Sequence, residues 1–299
     1  MRAGVDDRAY ASYSRSPVVA GNRGAGVFRR LIRKKAAVAG FIVFLLICFA
    51  CVAAPYLTKW KYNAINGERR LETPSFEHIL GTDNLGRDLF ARIIYGGRVT
   101  LKIALLSTSL AAVAGCVIGL VSGYFGSWAD AVISPVLDML AAVPIILLAL
   151  VFEAVFGWGR GYFMYAMVIA AIPHFARMVR ASVMNIMGCE YIEAAMSLGV
   201  SHTGIIFRHI LHNIASPLVI RFTSGVAEAL LTCTIMGYLS IGINPPTPEW
   251  GALAYTAKGY MLSHPYLMVI SCSVIVVCVI SINLFCDGLR DALDPKGNL

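Results

Sequence analysis

Charged residues are scarce in this chain of 299 residues. They make up 14% of the sequence, hydrophobic residues make up 58%, and the mean hydropathy is +0.71. Soluble domains average about 25% charged residues. We therefore predict an integral membrane protein. The net charge of +8 needs no nucleic-acid partner to explain it, because much of it sits in the N-terminal tail, where basic residues hold a membrane protein in the cytoplasm.

Motifs for catalysis and for metal binding are missing as well. The chain has no G-x-x-x-x-G-K-[ST] phosphate loop, so it cannot hydrolyse ATP by that route. No H-E-x-x-H, Ser/His/Asp or paired-carboxylate arrangement is evident. Eight cysteines are present without zinc-like spacing to histidines, and His209 and His212 lack a third ligand fixed by spacing. The sequence predicts no catalytic residue, no bound cofactor and no metal site.

Six apolar segments are long enough to cross a bilayer. We predict them at about 36–57, 99–124, 131–156, 162–184, 216–241 and 266–286. A basic collar precedes the first segment and sets the N-terminus inside; it consists of Arg29, Arg30, Arg33, Lys34 and Lys35. Six spans then place both termini in the cytoplasm.

The same pattern divides the chain into four parts. Residues 1–28 are predicted to be a flexible cytoplasmic tail, and 29–98 the first transmembrane helix with an external loop. Residues 99–287 form a five-helix transmembrane core, and 288–299 form a cytoplasmic C-terminal tail.

Three features inside the spans bear on packing and function. Gly115, Gly119 and Gly123 repeat every four residues, which predicts close approach of a neighbouring helix. Pro144 predicts a kink in the third span. Glu228 lies near the middle of the fifth span, where a carboxylate is costly and often functional. It can line a translocation path, or it can be protonated or paired with another helix.

A polar island, residues 190–213, separates the fourth and fifth spans. Glu190 to Leu198 predicts a short helix with Ile192, Ala195 and Met196 on one face. Gly199 is predicted to end it in a left-handed conformation. Ser201 is predicted to cap a second helix that runs to about Leu211.

Two external loops and the C-terminus carry further motifs. The first loop contains G-T-D-N-L-G-R-D at 81–88, in which two glycines beside Asp and Asn predict tight turns. The second contains N-P-P-T-P-E-W-G at 244–251, where three prolines make the loop stiff and Trp250 is predicted to anchor at the membrane interface. The chain ends in D-G-L-R-D-A-L-D-P at 287–295.

These motifs together resemble those of permease subunits of dipeptide- and oligopeptide-type ABC importers. Glu193-Ala194-Ala195, three residues and Gly199 are similar to the E-A-A-x-x-x-G loop of that family, and 81–88, 244–251 and 287–295 are similar to its other signatures. The resemblance covers about Arg29 to Lys296. It implies an all-α integral membrane protein with six transmembrane helices, the type I ABC importer permease fold and a cytoplasmic coupling helix.

The resemblance also implies roles for particular residues. Contact with the ATP-hydrolysing subunit is expected from Glu193, Ala194, Ala195, Gly199 and Ile205. Contact with an external substrate-binding protein is expected from Gly81, Asp83, Arg87, Asp88, Pro245, Pro246 and Trp250. Glu228 stays the candidate for the translocation path.

The implied complex lies in the bacterial cytoplasmic (inner) membrane, in contact with lipid. It contains this chain, a second homologous permease, two ATP-binding subunits that hold ATP and Mg²⁺, and the binding protein. The implied substrates are di- or oligopeptides, with glutathione or nickel as alternatives. Two other classes stay open from the residues alone: a self-sufficient secondary transporter or channel, and a membrane-embedded enzyme.

Overall fold

A computed structural model of the chain describes residues 23–159 and 161–293. Regular structure in these residues is helical, apart from an isolated bridge between Thr82 and Asp88. The α-helices are α1 (Arg23–Arg33), α2 (Lys35–Val52), α3 (Ala54–Leu57), α4 (Leu89–Phe125), α5 (Ser127–Ala142), α6 (Ile145–Phe156), α7 (Phe163–Met187), α8 (Glu190–Ser197), α9 (His202–Tyr238), α10 (Trp250–Lys258) and α11 (Pro265–Leu293). Residues 1–22 of the predicted N-terminal tail and 294–299 of the C-terminal tail lie outside the described residues.

Five of these helices are long and apolar enough to cross a membrane. They are α2, α4, α7, α9 and α11, and the bent pair α5–α6 adds a sixth if it counts as one span. The six predicted segments all fall on these helices. Two predicted domain boundaries, at 98/99 and 287/288, fall inside α4 and α11.

The third predicted span is broken rather than kinked. α5 and α6 meet at 85°, a sharper change than a single bent helix would give. Pro144 has no N–H and disfavours helical backbone in the residue before it, and Val143 accordingly takes an extended conformation with ψ 119°. α5 therefore ends at Ala142, and α6 starts anew in a different direction.

The fifth span is longer than the hydropathy pattern predicts. α9 runs without interruption from His202, inside the polar island, to Tyr238, and includes a π-helical segment at Ile205–Ile210. Between Leu211 and Pro217 the sequence offers no glycine or proline to end a helix, so the predicted second island helix and the fifth span are one element.

The most extensive helix contact joins α4 to α7 through the predicted glycine series. A Cβ atom on Gly119 would lie 2.5 Å from the Ala176 carbonyl oxygen, and a Cβ on Gly123 would lie 2.8 Å from Cβ of Val183. Gly115 faces Phe175 in the same way, at 2.5 Å. The prediction of close packing is confirmed, with α7 as the partner. Such contact stabilises membrane helices by van der Waals packing rather than by exclusion of water.

The opposite face of α4 carries large apolar side chains at helical spacing. Leu110, Val113, Val117 and Val121 are exposed in the isolated chain. In a membrane this face is suited to lipid or to another apolar helix.

One end of the bundle is formed by the loops that were predicted to be external. The Arg98 guanidinium donates from Nε to the Cys51 carbonyl at 2.5 Å and from Nη2 to the Val52 carbonyl. Tyr266 at the start of α11 donates its hydroxyl to the Glu72 carbonyl at 2.8 Å. These contacts hold the end of α2 against α4, and the start of α11 against the first loop. We call this the loop end.

The other end contains the polar island and both termini of the described chain. Lys34, before α2, forms an ion pair with Asp291 near the end of α11. The Tyr124 hydroxyl at the end of α4 lies 2.6 Å from Nδ1 of His202 at the start of α9. α2 ends at the loop end and α4 begins there, so the basic collar before α2 and the island beside the end of α4 share the island end.

Gly119→Ala is expected to weaken the α4–α7 contact. The added methyl group must displace the backbone of α7, and overpacking of this kind costs about 1–3 kcal/mol. The midpoint of thermal unfolding in detergent should fall. Gly188→Ala is the matched control, because a Cβ there meets no atom nearer than 3.8 Å. Equal midpoints for the two variants would contradict the assigned contact.

Candidate functional site

The polar island presents one face to the bundle and one to its surroundings. On α8, Ile192 is fully buried and Ala195 is nearly so, whereas Glu193 and Ala194 are exposed. Met196, predicted to share the buried face, is 38% exposed. The exposed face of α8 therefore carries a carboxylate and a small side chain, which leave a shallow surface.

The predicted helix ends in the island are confirmed. Gly199 has φ +78°, and its N–H donates to the Met196 carbonyl at 3.0 Å. Nothing lies within 4 Å of a Cβ built on it, so glycine is required there by backbone conformation and not by space. The Ser201 hydroxyl accepts from the Gly204 N–H at 3.2 Å, as an N-cap should.

Ile205 attaches the island to the membrane helices. Only 1% of it is exposed, and it packs with Ile192 and Ile210 against Val179 and Val183 of α7. This burial does not fit the expectation that Ile205 offers its side chain to a partner. Its burial follows from the continuous helix α9, which turns this position toward α7.

Two large apolar residues on the island were missed by the sequence analysis. Leu198 is 85% exposed and Phe207 is 70% exposed. They lie beyond the predicted spans, at the island end. The signal in the sequence was the presence of bulky apolar residues in an otherwise polar segment.

The loop at 78–88 is held by buried ion pairs. Asp83 accepts from Nε of Arg87 at 2.7 Å and lies 3.3 Å from Nε of Arg92. Asp88 lies 2.8 Å from Nδ1 of His78 and caps α4 by accepting from the Ala91 N–H at 2.7 Å. All of these charged side chains are buried. Asp83, Arg87 and Asp88 therefore fix the shape of the loop and are not themselves its outer surface.

Backbone conformation explains the glycines of this loop. Gly81 and Gly86 have φ values of +79° and +71°, and a Cβ on Gly86 would lie 1.7 Å from the Asn66 carbonyl oxygen. The predicted tight turns are present, and any other residue would be both strained and obstructed.

Trp250 is a core residue rather than an interfacial anchor, which corrects the expectation. It is 1% exposed, and its indole Nε1 donates to the Ile93 carbonyl at 2.9 Å. A Cβ on Gly97 would lie 2.7 Å from the indole ring, so this glycine leaves room for it. Asn244, Pro245 and Pro246 are exposed at the loop end, and they are the residues of the second loop motif that a partner could reach directly.

Glu249 is a buried carboxylate that the sequence analysis did not single out. It accepts from the Ala252 N–H at 2.9 Å, as the N-cap of α10, and from the Thr100 hydroxyl of α4 at 3.0 Å. Burial raises the pKa of Glu249, and these hydrogen bonds oppose that shift. The residue therefore ties α10 to α4. Its position directly before a helix was the available signal.

Glu153 is a second missed carboxylate, near the end of α6. It is fully buried and accepts from the Gly159 N–H at 2.8 Å and the Phe163 N–H at 3.0 Å. It joins the end of α6 to the start of α7.

A cavity of about 350 Å³ lies beside the break between α5 and α6. Its walls come from α4, α5, α6, α7 and α9, and the residues that line it include Ser107, Thr108, Pro144, His174, Arg221 and Glu228. Glu228 is paired with Arg221 of the same helix at 2.9 Å. Glu228 therefore lines the cavity, and its ion-pair partner lies on its own helix and not on another helix, as the alternative had it.

Asp83→Asn should destabilise the loop end strongly. The change keeps the shape of the side chain but leaves Arg87 and Arg92 without their buried counter-charge, and breaking a buried pair costs about 3–5 kcal/mol. The midpoint of thermal unfolding in detergent is the measurement. Glu77→Gln, which breaks the exposed Arg69–Glu77 pair, should leave it unchanged. A similar midpoint for both variants would contradict the structural role of Asp83.

Two protein families match this sequence. Residues 115–297 match "Binding-protein-dependent transport system inner membrane component", and residues 23–74 match "N-terminal TM domain of oligopeptide transport permease C". Among curated relatives, the dipeptide transport system permease protein DppC of Alkalihalophilus pseudofirmus is 37% identical over 90% of this chain and 88% of its own length. The glutathione transport system permease protein GsiD of Pectobacterium atrosepticum is 38% identical over 90% of both chains.

Solved structures show the same fold. A chain of the MetNI methionine ABC transporter in an inward-facing conformation matches with a TM-score of 0.56 and 21% identity, over 67% of this chain and 96% of that one. A chain of an amino acid ABC transporter matches with a TM-score of 0.52 and 17% identity, over 67% and 93%. The chain belongs to the binding-protein-dependent family of inner-membrane components of ABC transport systems.

Proposed function

We propose that this chain is the permease subunit of an ATP-driven importer that takes up di- or oligopeptides from an external binding protein. The observation that carries the proposal is the island surface: a Glu193-Ala194 face ended by Gly199, held on α7 by buried isoleucines, at the end of the bundle opposite the external loops. Membership of the family indicates the type of transport system, which is an ABC importer that depends on a binding protein.

The orientation follows from the basic collar. Positive residues beside the first span favour the cytoplasmic side, and the island lies at the same end of the bundle. The island is then within reach of cytoplasmic ATP-binding subunits, and Pro245 and Pro246 face the side from which a binding protein arrives. Both termini are cytoplasmic in this arrangement.

ATP and Mg²⁺ belong to the partner subunits, because the chain has no phosphate loop of its own. We expect two such subunits and a second homologous permease, which would cover an apolar face of the bundle. Leu198 and Phe207 join Glu193, Ala194 and Gly199 as the residues expected to contact an ATP-binding subunit, and the buried Ile205 transmits that contact to α7.

The continuous helix α9 gives the proposal a mechanical basis. It starts in the island and carries Arg221 and Glu228 at the cavity, about 30–40 Å further along at 1.5 Å per residue. Closure of the ATP-binding subunits would shift the island, and α7 and α9 would move with it as packed elements. The cavity would then change its access by a shift between two populated arrangements.

Peptides are the favoured substrate because the relatives named above include a dipeptide permease with 37% identity over 90% of the chain. Glutathione is the second candidate, since a glutathione permease matches equally well. Uptake of labelled dipeptide, tripeptide and glutathione by the assembled complex, each with and without ATP, separates them. Uptake without ATP would instead favour a secondary transporter.

Glu193→Lys and Gly199→Pro should prevent the chain from retaining an ATP-binding subunit in a pull-down from native membranes. The first reverses the exposed charge. The second removes the N–H that bonds to Met196 and forbids the positive φ. The amount of copurified ATP-binding subunit per tagged chain should fall about tenfold or more.

Glu68→Lys is the matched control, because it makes the same charge reversal on an exposed residue at the loop end. It should copurify the ATP-binding subunit as the wild type does. Retention by the two island variants, or its absence from the wild-type sample, would overturn the docking proposal.

A further inference from the structure

The cavity beside the α5–α6 break contains an ion pair. Among the residues that line it, in the described part of the chain, Arg221 is the one Arg or Lys and Glu228 the one Asp or Glu, with His174 as the third ionisable side chain. The hydroxyls of Ser107 and Thr108 on the α4 wall are directed to the Ala104 carbonyl at 3.2 and 2.8 Å. A ligand in the cavity would therefore meet this pair as the principal electrostatic feature.

The pair is well formed but open on one side. Nη1 and Nη2 of Arg221 donate to the two carboxylate oxygens of Glu228 at 2.9 and 3.0 Å, a bidentate arrangement. The Glu228 side chain is 60% exposed, whereas that of Arg221 is 20% exposed. Phe175 of α7 lies under the guanidinium, with 5.4 Å from Cζ to the ring centroid. Arg221 is thus held in place, and Glu228 is free to move away from it.

The spacing of the two residues fits a short zwitterion. They are seven residues apart on one helix, so their backbones are separated by about 10.5 Å along its axis. Their side chains lean toward each other to pair. An extended dipeptide spans at most about 7 Å and a tripeptide about 10 Å. A ligand of that length, with an ammonium group and a carboxylate at its ends, fits between the two charges once they separate.

The cost of charge in a membrane favours exchange of partners. An unpaired charge there is expensive, so opening the pair requires a replacement for each half. A zwitterion supplies both replacements at once: its carboxylate takes the place of Glu228 on Arg221, and its ammonium takes the place of Arg221 on Glu228. Neither charge is left alone, and when the ligand departs the pair closes again.

We propose that Arg221 and Glu228 form a transient site in the translocation path for the two charged termini of a short peptide, with Arg221 for the carboxylate and Glu228 for the ammonium. This inference rests on the proposed function, which supplies the peptide and the path. Under this proposal the permease itself selects peptides that have free amino and carboxyl termini. The rival interpretation is a structural pair, whose two charges only neutralise each other.

Neutralising both charges separates the two interpretations. Removing one half of a structural pair does harm, and removing the second half relieves it, because no charge is left unpaired. The experiment compares the wild type, Arg221→Gln, Glu228→Gln and the double variant in proteoliposomes with all partner subunits and binding protein. The measurement is the amount of labelled dipeptide taken up per ATP hydrolysed.

We expect the double variant to take up about tenfold less dipeptide per ATP than the wild type, with no recovery relative to the single variants. Its ATPase activity stimulated by the binding protein should stay within about twofold of the wild type, because the docking surfaces are untouched. Recovery in the double variant, or wild-type uptake per ATP, would overturn the proposal.

Arg177→Gln with Asp138→Asn is the control pair. These two residues form an ion pair between α5 and α7 at 2.7 Å, and neither lines the cavity. Uptake per ATP should match the wild type. An equal loss in this control and in the Arg221/Glu228 double variant would overturn the inference, because the loss would then follow from any neutralised pair.

A charge-preserving variant covers the case in which the double variant does not assemble. Arg221→Lys keeps the positive charge but cannot hold a carboxylate through two parallel hydrogen bonds. We expect a loss of about fivefold in uptake per ATP with normal assembly. Unchanged uptake would contradict the proposal. Failure of the proposed function looks different: the wild type itself would then show no ATP-dependent uptake of dipeptide.

Discussion

The backbone-distance contact between α4 and α7 is the interaction on which the rest of the structure depends. Gly115, Gly119 and Gly123 let α7 approach until its side chains touch the backbone of α4. The same segment of α7 supplies the Phe175 ring under Arg221, and Val179 and Val183 for the isoleucines of the island. Because these glycines have no side chains, α4 and α7 pack closely. This contact sets the position of α7, which forms one wall of the cavity and supports α8.

Carboxylates that accept hydrogen bonds or form ion pairs connect the remaining parts of the bundle. At the loop end, Asp83 and Asp88 hold a loop of tight turns, while Glu153 and Glu249 accept backbone N–H groups from segments that follow a turn. At the island end, Arg180 of α7 is bidentate to Asp130 of α5. The carboxylates at the loop end are buried and satisfy donors that water does not reach, whereas the Arg180–Asp130 pair is partly exposed. The pair in the cavity differs because one of its members faces open space.

The sequence alone predicts the features that depend on residues close together in the chain. The six apolar segments, the glycine contact, and the helix ends at Gly199 and Ser201 follow from composition and spacing. The 85° break at Pro144 does not, because hydropathy measures length and says nothing of direction. The burial of Ile205 and Trp250 depends on which helix passes beside them, and the Arg221–Glu228 pair lies across two turns of a helix whose neighbours form the cavity. These features depend on tertiary contacts, which a single sequence does not contain.

The uninterrupted course of α9 has a thermodynamic consequence. In the proposed complex one continuous helix takes part in two binding sites, so binding at either site changes the free energy of binding at the other. If docking at the island favours one arrangement of the cavity by a given factor, a ligand in the cavity must favour docking by the same factor. Occupancy of the membrane cavity would then be reported to the cytoplasmic side by equilibrium linkage alone, with no separate sensor.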